Sequence, residues 1–147
     1  MKTIKEYSLK IVERDSDFKK IKIGSSADIY KFVKEFYFDD INIFESFFAV
    51  FLSRSNTTTG YVKISQGGTA GTVVDIKIIA KYAIDSLCAG VILCHNHPSG
   101  NLLASDQDIQ LTKKAKQGLR LLDINILDHI IITESGYLSF ADEGLMD

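Results

Sequence analysis

Residues 89–100, Ala-Gly-Val-Ile-Leu-Cys-His-Asn-His-Pro-Ser-Gly, constrain the fold of this 147-residue chain more than any other stretch. The run 89–94 is apolar throughout. That suits a short strand covered on both faces, as in a sheet flanked by helices. Side chains alternate across a strand. If extended geometry continues to residue 97, His95 and His97 emerge on one face, and Cys94 and Asn96 on the other. Pro98 and Gly100 then end the strand, leaving two imidazoles at the end of the sheet beside a loop.

The flanking sequence alternates strand-like and helix-like periods. Residues 1–24 mix charge with Ile, Val and Phe and have room for one or two strands, such as 20–23. Ser25 or Ser26 caps a helix over 27–36, where Ile29, Phe32, Val33 and Phe36 recur at helical spacing. Residues 46–53 read as a buried strand, 57–60 as a turn and 61–65 as its hairpin partner. Gly67, Gly68 and Gly71 mark an irregular connection, since their spacing fits neither nucleotide fingerprint and no Lys-Ser/Thr follows. Helices are expected at 76–87 and from Ser105 to 119, and strands at 127–133 and 137–140. This alternation predicts an α/β (α+β) fold with a mixed sheet flanked by helices.

Composition adds limits. With 46% hydrophobic residues, 24% charged residues and a single proline, the chain is globular rather than disordered. A net charge of −2 provides no bulk attraction to nucleic acid, and the cluster Lys113, Lys114, Lys116 and Arg120 reads as a solvated helix face. No segment is apolar and long enough to span a bilayer, and the first residues lack the features of a secretion signal. Cys88 and Cys94 are too few for a disulfide framework and lie in or beside an apolar run, so a reducing cytoplasm is expected.

His95 and His97 are followed by Ser105 and Asp108, and two imidazoles with a carboxylate suit a zinc-like ion that keeps a position open for water. A bland account competes at each point. A pair of histidines at a strand end is often only hydrogen-bonded. Ser105-x-x-Asp108 also matches a helix capping signature, which by itself explains both residues. Asp106 competes with Asp108 as the ligand; two apart on a helix, they face different directions, so at most one reaches the site. A hydrolytic zinc also needs a carboxylate that accepts the proton of the attacking water. Glu6, Glu13, Glu35 and Glu45 are the upstream candidates, and Glu45 is distinctive for its place between Phe44 and Phe47 at the start of an apolar strand. Other folds with paired histidines fit poorly. A barrel amidohydrolase needs about 250 residues, a zinc deaminase needs His-x-Glu with Pro-Cys-x-x-Cys, and a cupin needs a Glu where this chain has Asn101 and Leu102. The tripeptide His-Asn-His is not the dispersed motif of HNH nucleases.

Taken together, these residues resemble the JAB/MPN metalloprotein family and, within it, the bacterial RadC-like branch. The family's JAMM motif, an upstream Glu, then His-x-His-Pro, then Ser-x-x-Asp, maps onto Glu45, His95, His97, Pro98, Ser105 and Asp108. The branch's His-Asn-His-Pro-Ser-Gly, Leu-Asp-His-Ile-Ile and Tyr-x-Ser-Phe segments stand at 95–100, 127–131 and 137–140. The resemblance covers about 40–145 and implies a cytidine-deaminase-like JAB/MPN fold for that motif-bearing core; with no repeat or linker in the chain, 1–147 reads as one domain with an N-terminal extension (1–39) holding one helix. It implies one zinc ion held by His95, His97 and Asp108, with Glu45 as base and Ser105 hydrogen-bonding near the water or the developing oxyanion. The implied activity is metal-assisted hydrolysis of peptide or isopeptide bonds in a peptide or protein substrate.

The chain departs from the branch pattern at Phe44, where an Arg is usual, and at Ile76-Lys77-Ile78, where Pro-Arg-Glu is usual. Lys77 replaces the charge of that Arg but not its planar fork. Longer relatives carry an N-terminal helix-hairpin-helix module that 1–40 is too short to supply, so the DNA-repair label of the branch, and with it a nucleic-acid partner, gains little here. His129 reads as a structural histidine in a buried strand rather than a fourth ligand. The competing functional reading is a catalytically silent module that binds metal, protein or DNA.

Overall fold

A computed structural model describes every residue except Leu9, Phe38, Thr69 and Ala70. In chain order it contains helix α1 (Ser26–Val33), continued by a 3-10 turn (Lys34–Tyr37), strands β1 (Ser46–Leu52) and β2 (Thr58–Gln66), helix α2 (Ile76–Asp85), strand β3 (Gly90–Asn96), helix α3 (Asp106–Arg120), and strands β4 (Asn125–Ile132) and β5 (Tyr137–Ser139). The strands form one mixed sheet in the order β2-β1-β3-β4-β5. Only β3 and β4 run parallel, with α3 as the crossover that a parallel pair requires. The fold is α+β, as the alternating periods predict.

Strand parity sorts the core into two layers. Phe47, Ala49 and Phe51 of β1 and Val91 and Leu93 of β3 face α2 and α3, where Ile79, Ala83, Ala115 and Leu119 close the layer. Phe48, Val50 and Leu52 with Ile92 and Cys94 face the other way, against Ile29 and Val33 of α1 and Tyr37. Every residue of β1 and of β3 is buried, which is why both read as continuous apolar runs rather than alternating ones. Each large apolar side chain so placed contributes about 1.5–3 kcal/mol.

Helix starts follow the local chemistry. Ser25 caps α1 by accepting the Asp28 N–H, and Asp75 caps α2 by accepting the Lys77 N–H at 2.9 Å. Two expectations are corrected. The N-terminal strand at 20–23 is a single antiparallel bridge, Lys22 to Thr57. That segment meets the β1–β2 turn through Ile23 N–H to Asn56 O and Thr58 N–H to Ile21 O, where no length of strand is available to pair. The hairpin turn lies before Thr58, with Asn56 at a positive φ of 59°, so 58–60 already belong to β2. Asn tolerates that left-handed conformation better than most residues do. Lys114 and Arg120 are exposed on α3, while Lys116 donates to the Met146 carbonyl at 3.1 Å. Among the described residues, no helix is long and apolar enough to cross a membrane.

Candidate metal centre

The same parity that buries Val91 and Leu93 under α2 and α3 sends His95 and His97 to that side, where the first turn of α3 begins. Asn96 and Cys94 point to the α1 side, as expected. His95 is 1% exposed and stacks on Phe47, whereas His97, Asp108 and Glu45 are 16–19% exposed. The cluster is thus closed beneath and open above, toward solvent.

His95 Nε2 and His97 Nε2 stand 3.0 Å apart. Asp108 Oδ2 lies 3.5 Å from the first and 3.6 Å from the second; Glu45 Oε1 lies 3.7 Å and 3.9 Å from them. Ligand atoms around a tetrahedral zinc, bonded at about 2.0–2.1 Å, stand about 3.3–3.4 Å apart. The His95, His97 and Asp108 atoms approximate one face of such a tetrahedron, and Glu45 closes a slightly wider one. Glu45, His95 and His97 each bring a ligand atom within 4.8 Å of the others. Two imidazoles and two carboxylates on one solvent-facing spot therefore fit a divalent cation. Asp106 is exposed at the start of α3, and Glu6, Glu13 and Glu35 are exposed elsewhere. Of the aspartate and glutamate candidates, Asp108 and Glu45 are the ones brought to the imidazoles.

Each carboxylate is held by its own local structure. Ser105 and Asp108 form a full capping box: Ser105 Oγ accepts the Asp108 N–H at 3.0 Å, and Asp108 Oδ2 accepts the Ser105 N–H at 3.1 Å. Glu45 Oε2 accepts the Thr72 N–H at 3.1 Å, which leaves Oε1 toward the imidazoles. Gly71 sits at φ +112°, and a Cβ there would stand 2.9 Å from Glu45 Oε2. A Cβ on Gly67 would overlap the Gly71 carbonyl. The glycine-rich connection therefore serves as the wall against which Glu45 rests.

Charge within the cluster is strongly coupled. Burial pushes the Asp108 carboxyl up, but the His95 and His97 imidazoles more than reverse this and hold it well below the usual carboxylate range. Burial likewise pushes His97 down, but the Asp108 carboxylate beside it and its hydrogen bond to the Asn101 carbonyl leave it raised overall. His129 is wholly buried, and burial holds it well below the ordinary imidazole range.

Sequence reasoning missed three supports. Asn96 is fully buried: its Nδ2 donates to the Ile41 and Phe44 carbonyls at 2.7 Å each, and its Oδ1 accepts the Ser46 N–H at 2.8 Å. It straps the chain on both sides of Glu45. Thr72 is the second support, through its backbone. The third is the pair Thr112 and His129: His129 Nε2 lies 2.7 Å from His95 Nδ1, and its Nδ1 lies 2.6 Å from Thr112 Oγ1. The position of Asn96 between the two histidines was the one available signal. Lys77 is exposed on α2, and Cys94 and Cys88 are free thiols. Burial pushes Cys94 up to about 12, so it is inert.

The sequence profile of a family described as RadC-like JAB domain matches residues 23–145, beginning before the motif-bearing core. A UPF0758 protein of Flavobacterium johnsoniae is 42% identical over 134 residues, covering 90% of this chain and 58% of that protein. A UPF0758 protein of Porphyromonas gingivalis is 40% identical over 103 residues, covering 69% of this chain and 45% of that one. One from Pseudomonas syringae pv. tomato is 36% identical over 102 residues, covering 69% and 46%. The chain thus spans about half the length of these relatives. Because the matched span contains all of Glu45, His95, His97, Ser105 and Asp108, this chain belongs to the RadC-like JAB domain family.

Proposed function

We propose that this chain is a zinc-dependent hydrolase of peptide or isopeptide bonds. The observation that carries the reading is the convergence of two imidazole nitrogens and two carboxylate oxygens, each on a rigid support, at one solvent-facing point. His95, His97 and Asp108 would hold the ion, because their atoms come closest to a tetrahedral face. Zinc bound there supplies Lewis acidity and lowers the pKa of water, giving a nucleophile at neutral pH. Glu45, anchored through Oε2, keeps Oε1 free to accept the proton of an attacking water and to return it to the leaving amine. Ser105 spends one lone pair on the Asp108 N–H, so its hydroxyl hydrogen is free to donate to the oxygen that gains charge at the scissile carbonyl. The bond class rests on the family rather than on any group in the site. A reducing cytoplasm remains the proposed compartment, supported by two free thiols.

Zinc titration of metal-stripped protein followed by a peptide-library cleavage screen tests the reading. One zinc bound per chain and metal-dependent cleavage are expected. No uptake at micromolar zinc overturns it, and uptake without cleavage of any peptide or isopeptide favours the silent metal-binding module.

A further inference from the structure

A single carbonyl sets the directions of three hydrogen bonds behind the site. The Thr112 hydroxyl, on α3, donates its one hydrogen to the Asp108 backbone carbonyl at 2.7 Å. Toward His129 Nδ1, at 2.6 Å, the same oxygen must therefore accept, so that Nδ1 carries the hydrogen. His129 is wholly buried and, among the described residues, no carboxylate is hydrogen-bonded to its ring; in the neutral ring only one nitrogen is protonated. Its Nε2 is then a lone pair, which accepts from His95 Nδ1 at 2.7 Å. His95 Nε2 is left bare, pointing at His97 Nε2 and Asp108 Oδ2. His97 reaches the same state by a shorter route. Its Nδ1 lies 2.7 Å from the Asn101 carbonyl, which only accepts, so in the neutral ring its Nε2 is bare as well.

We propose that Thr112 and His129 form a positioning relay that fixes His95 in the Nδ1–H tautomer and so presents its Nε2 as a metal ligand. The metal role of His95 rests on the function proposed above; the tautomer does not. Nothing in the relay touches the ion. It acts through His95, and it ties the α3 turn that presents the Asp108 carboxylate to the strand that presents the imidazole, because Thr112 reads the backbone of Asp108 itself. With both rings neutral, two bare nitrogens 3.0 Å apart repel each other unless a cation stands against both, so the relay then holds the apoprotein in a state that favours metal uptake. With the Thr112 hydroxyl removed, His129 is free to take its other tautomer and donate from Nε2. His95 would then accept at Nδ1 and carry its hydrogen on Nε2, where it blocks the ion.

The test combines ring-nitrogen NMR of metal-free protein, at alkaline pH where imidazoles are neutral, with zinc competition titrations. Wild type should show the Nδ1–H tautomer at both His95 and His129. Thr112→Val, close in shape but without the hydroxyl, should shift both rings toward Nε2–H and weaken zinc binding by about 10–100-fold. Thr112→Ser should restore both readouts. A wild-type His95 found as Nε2–H overturns the proposal without reference to metal, and so does Thr112→Val with unchanged tautomers and zinc affinity. A wild type with the Nδ1–H tautomer that takes up no zinc supports the relay and overturns the metal reading instead. Should Thr112→Val fail to fold, the wild-type spectrum and Thr112→Ser still decide.

Discussion

Ser105 and Asp108 are bound to each other twice, side chain to backbone in both directions, at 3.0 Å and 3.1 Å. The oxygen that accepts the Ser105 amide, Asp108 Oδ2, is the one that faces both imidazoles. The atom that completes the cap is thus the one placed to meet an ion held between the imidazoles, so the capping and ligand explanations of these residues are compatible. The cap holds the carboxylate in place before any ion arrives.

Ser105→Ala should therefore lower the stability of the metal-free protein by about 0.5–2 kcal/mol, the usual range for a lost N-cap. Chemical denaturation measures it. Unchanged stability would mean that the capping box contributes nothing to α3.

Glu45→Gln keeps the shape of the side chain but cannot accept a proton. Zinc should still bind, while cleavage of any substrate found falls by about 10²–10⁴-fold. Parallel zinc titration and turnover measurements separate the alternatives. Collapse of zinc affinity would make Glu45 a ligand, and no change in either quantity would leave it a strand-start residue.

Asn96→Ala removes three hydrogen bonds of a buried side chain and leaves the Ile41 and Phe44 carbonyls without this donor. A loss of about 1–3 kcal/mol or more is expected in thermal or denaturant unfolding. Asn96→Asp should be at least as damaging, since its carboxylate would face two carbonyl oxygens. A strap of this kind predicts that neither variant matches wild type; if either does, Glu45 is positioned by other contacts.

The pH dependence follows from the opposed shifts of Asp108 and His97. Asp108 is depressed in the folded protein, so its contribution is full above its unfolded value of about 3.9 and is lost as pH falls below it. His97 is raised, so its contribution is full below about 6.5 and is lost as pH rises through its folded value. Metal-free protein should therefore draw most from this pair between those limits. Zinc needs His97 without its proton, so zinc affinity should climb with pH through and beyond 6.5, opposite in sign to the apoprotein trend. Denaturation curves with and without zinc across this range measure both. Parallel pH trends with and without the metal would count against zinc at His97.

Features that depend on neighbours within a few residues were legible in the chain itself. The apolar run 89–94 and the period of two placed His95, and His97 just past the end of β3, on one side of the sheet, and Ser105-x-x-Asp108 announced its own capping box. The hairpin turn was displaced, because hydroxyls at 53, 55 and 57 and a left-handed Asn56 make the bend earlier, while 58–60 look turn-like yet pair with β1. Glu45 stood apart locally for its place between Phe44 and Phe47 just before β1, but only the family motif chose it over the other glutamates as the base. Tertiary structure alone decided that Asn96 straps 41–46, that Gly71 and Thr72 wall in Glu45, and that Thr112 and His129 stand behind His95. These contacts join residues 17 to 55 positions apart. Local periodicity fixes which face a side chain leaves from, but only the pairing of β3 with β4 and the docking of α3 fix what it meets there.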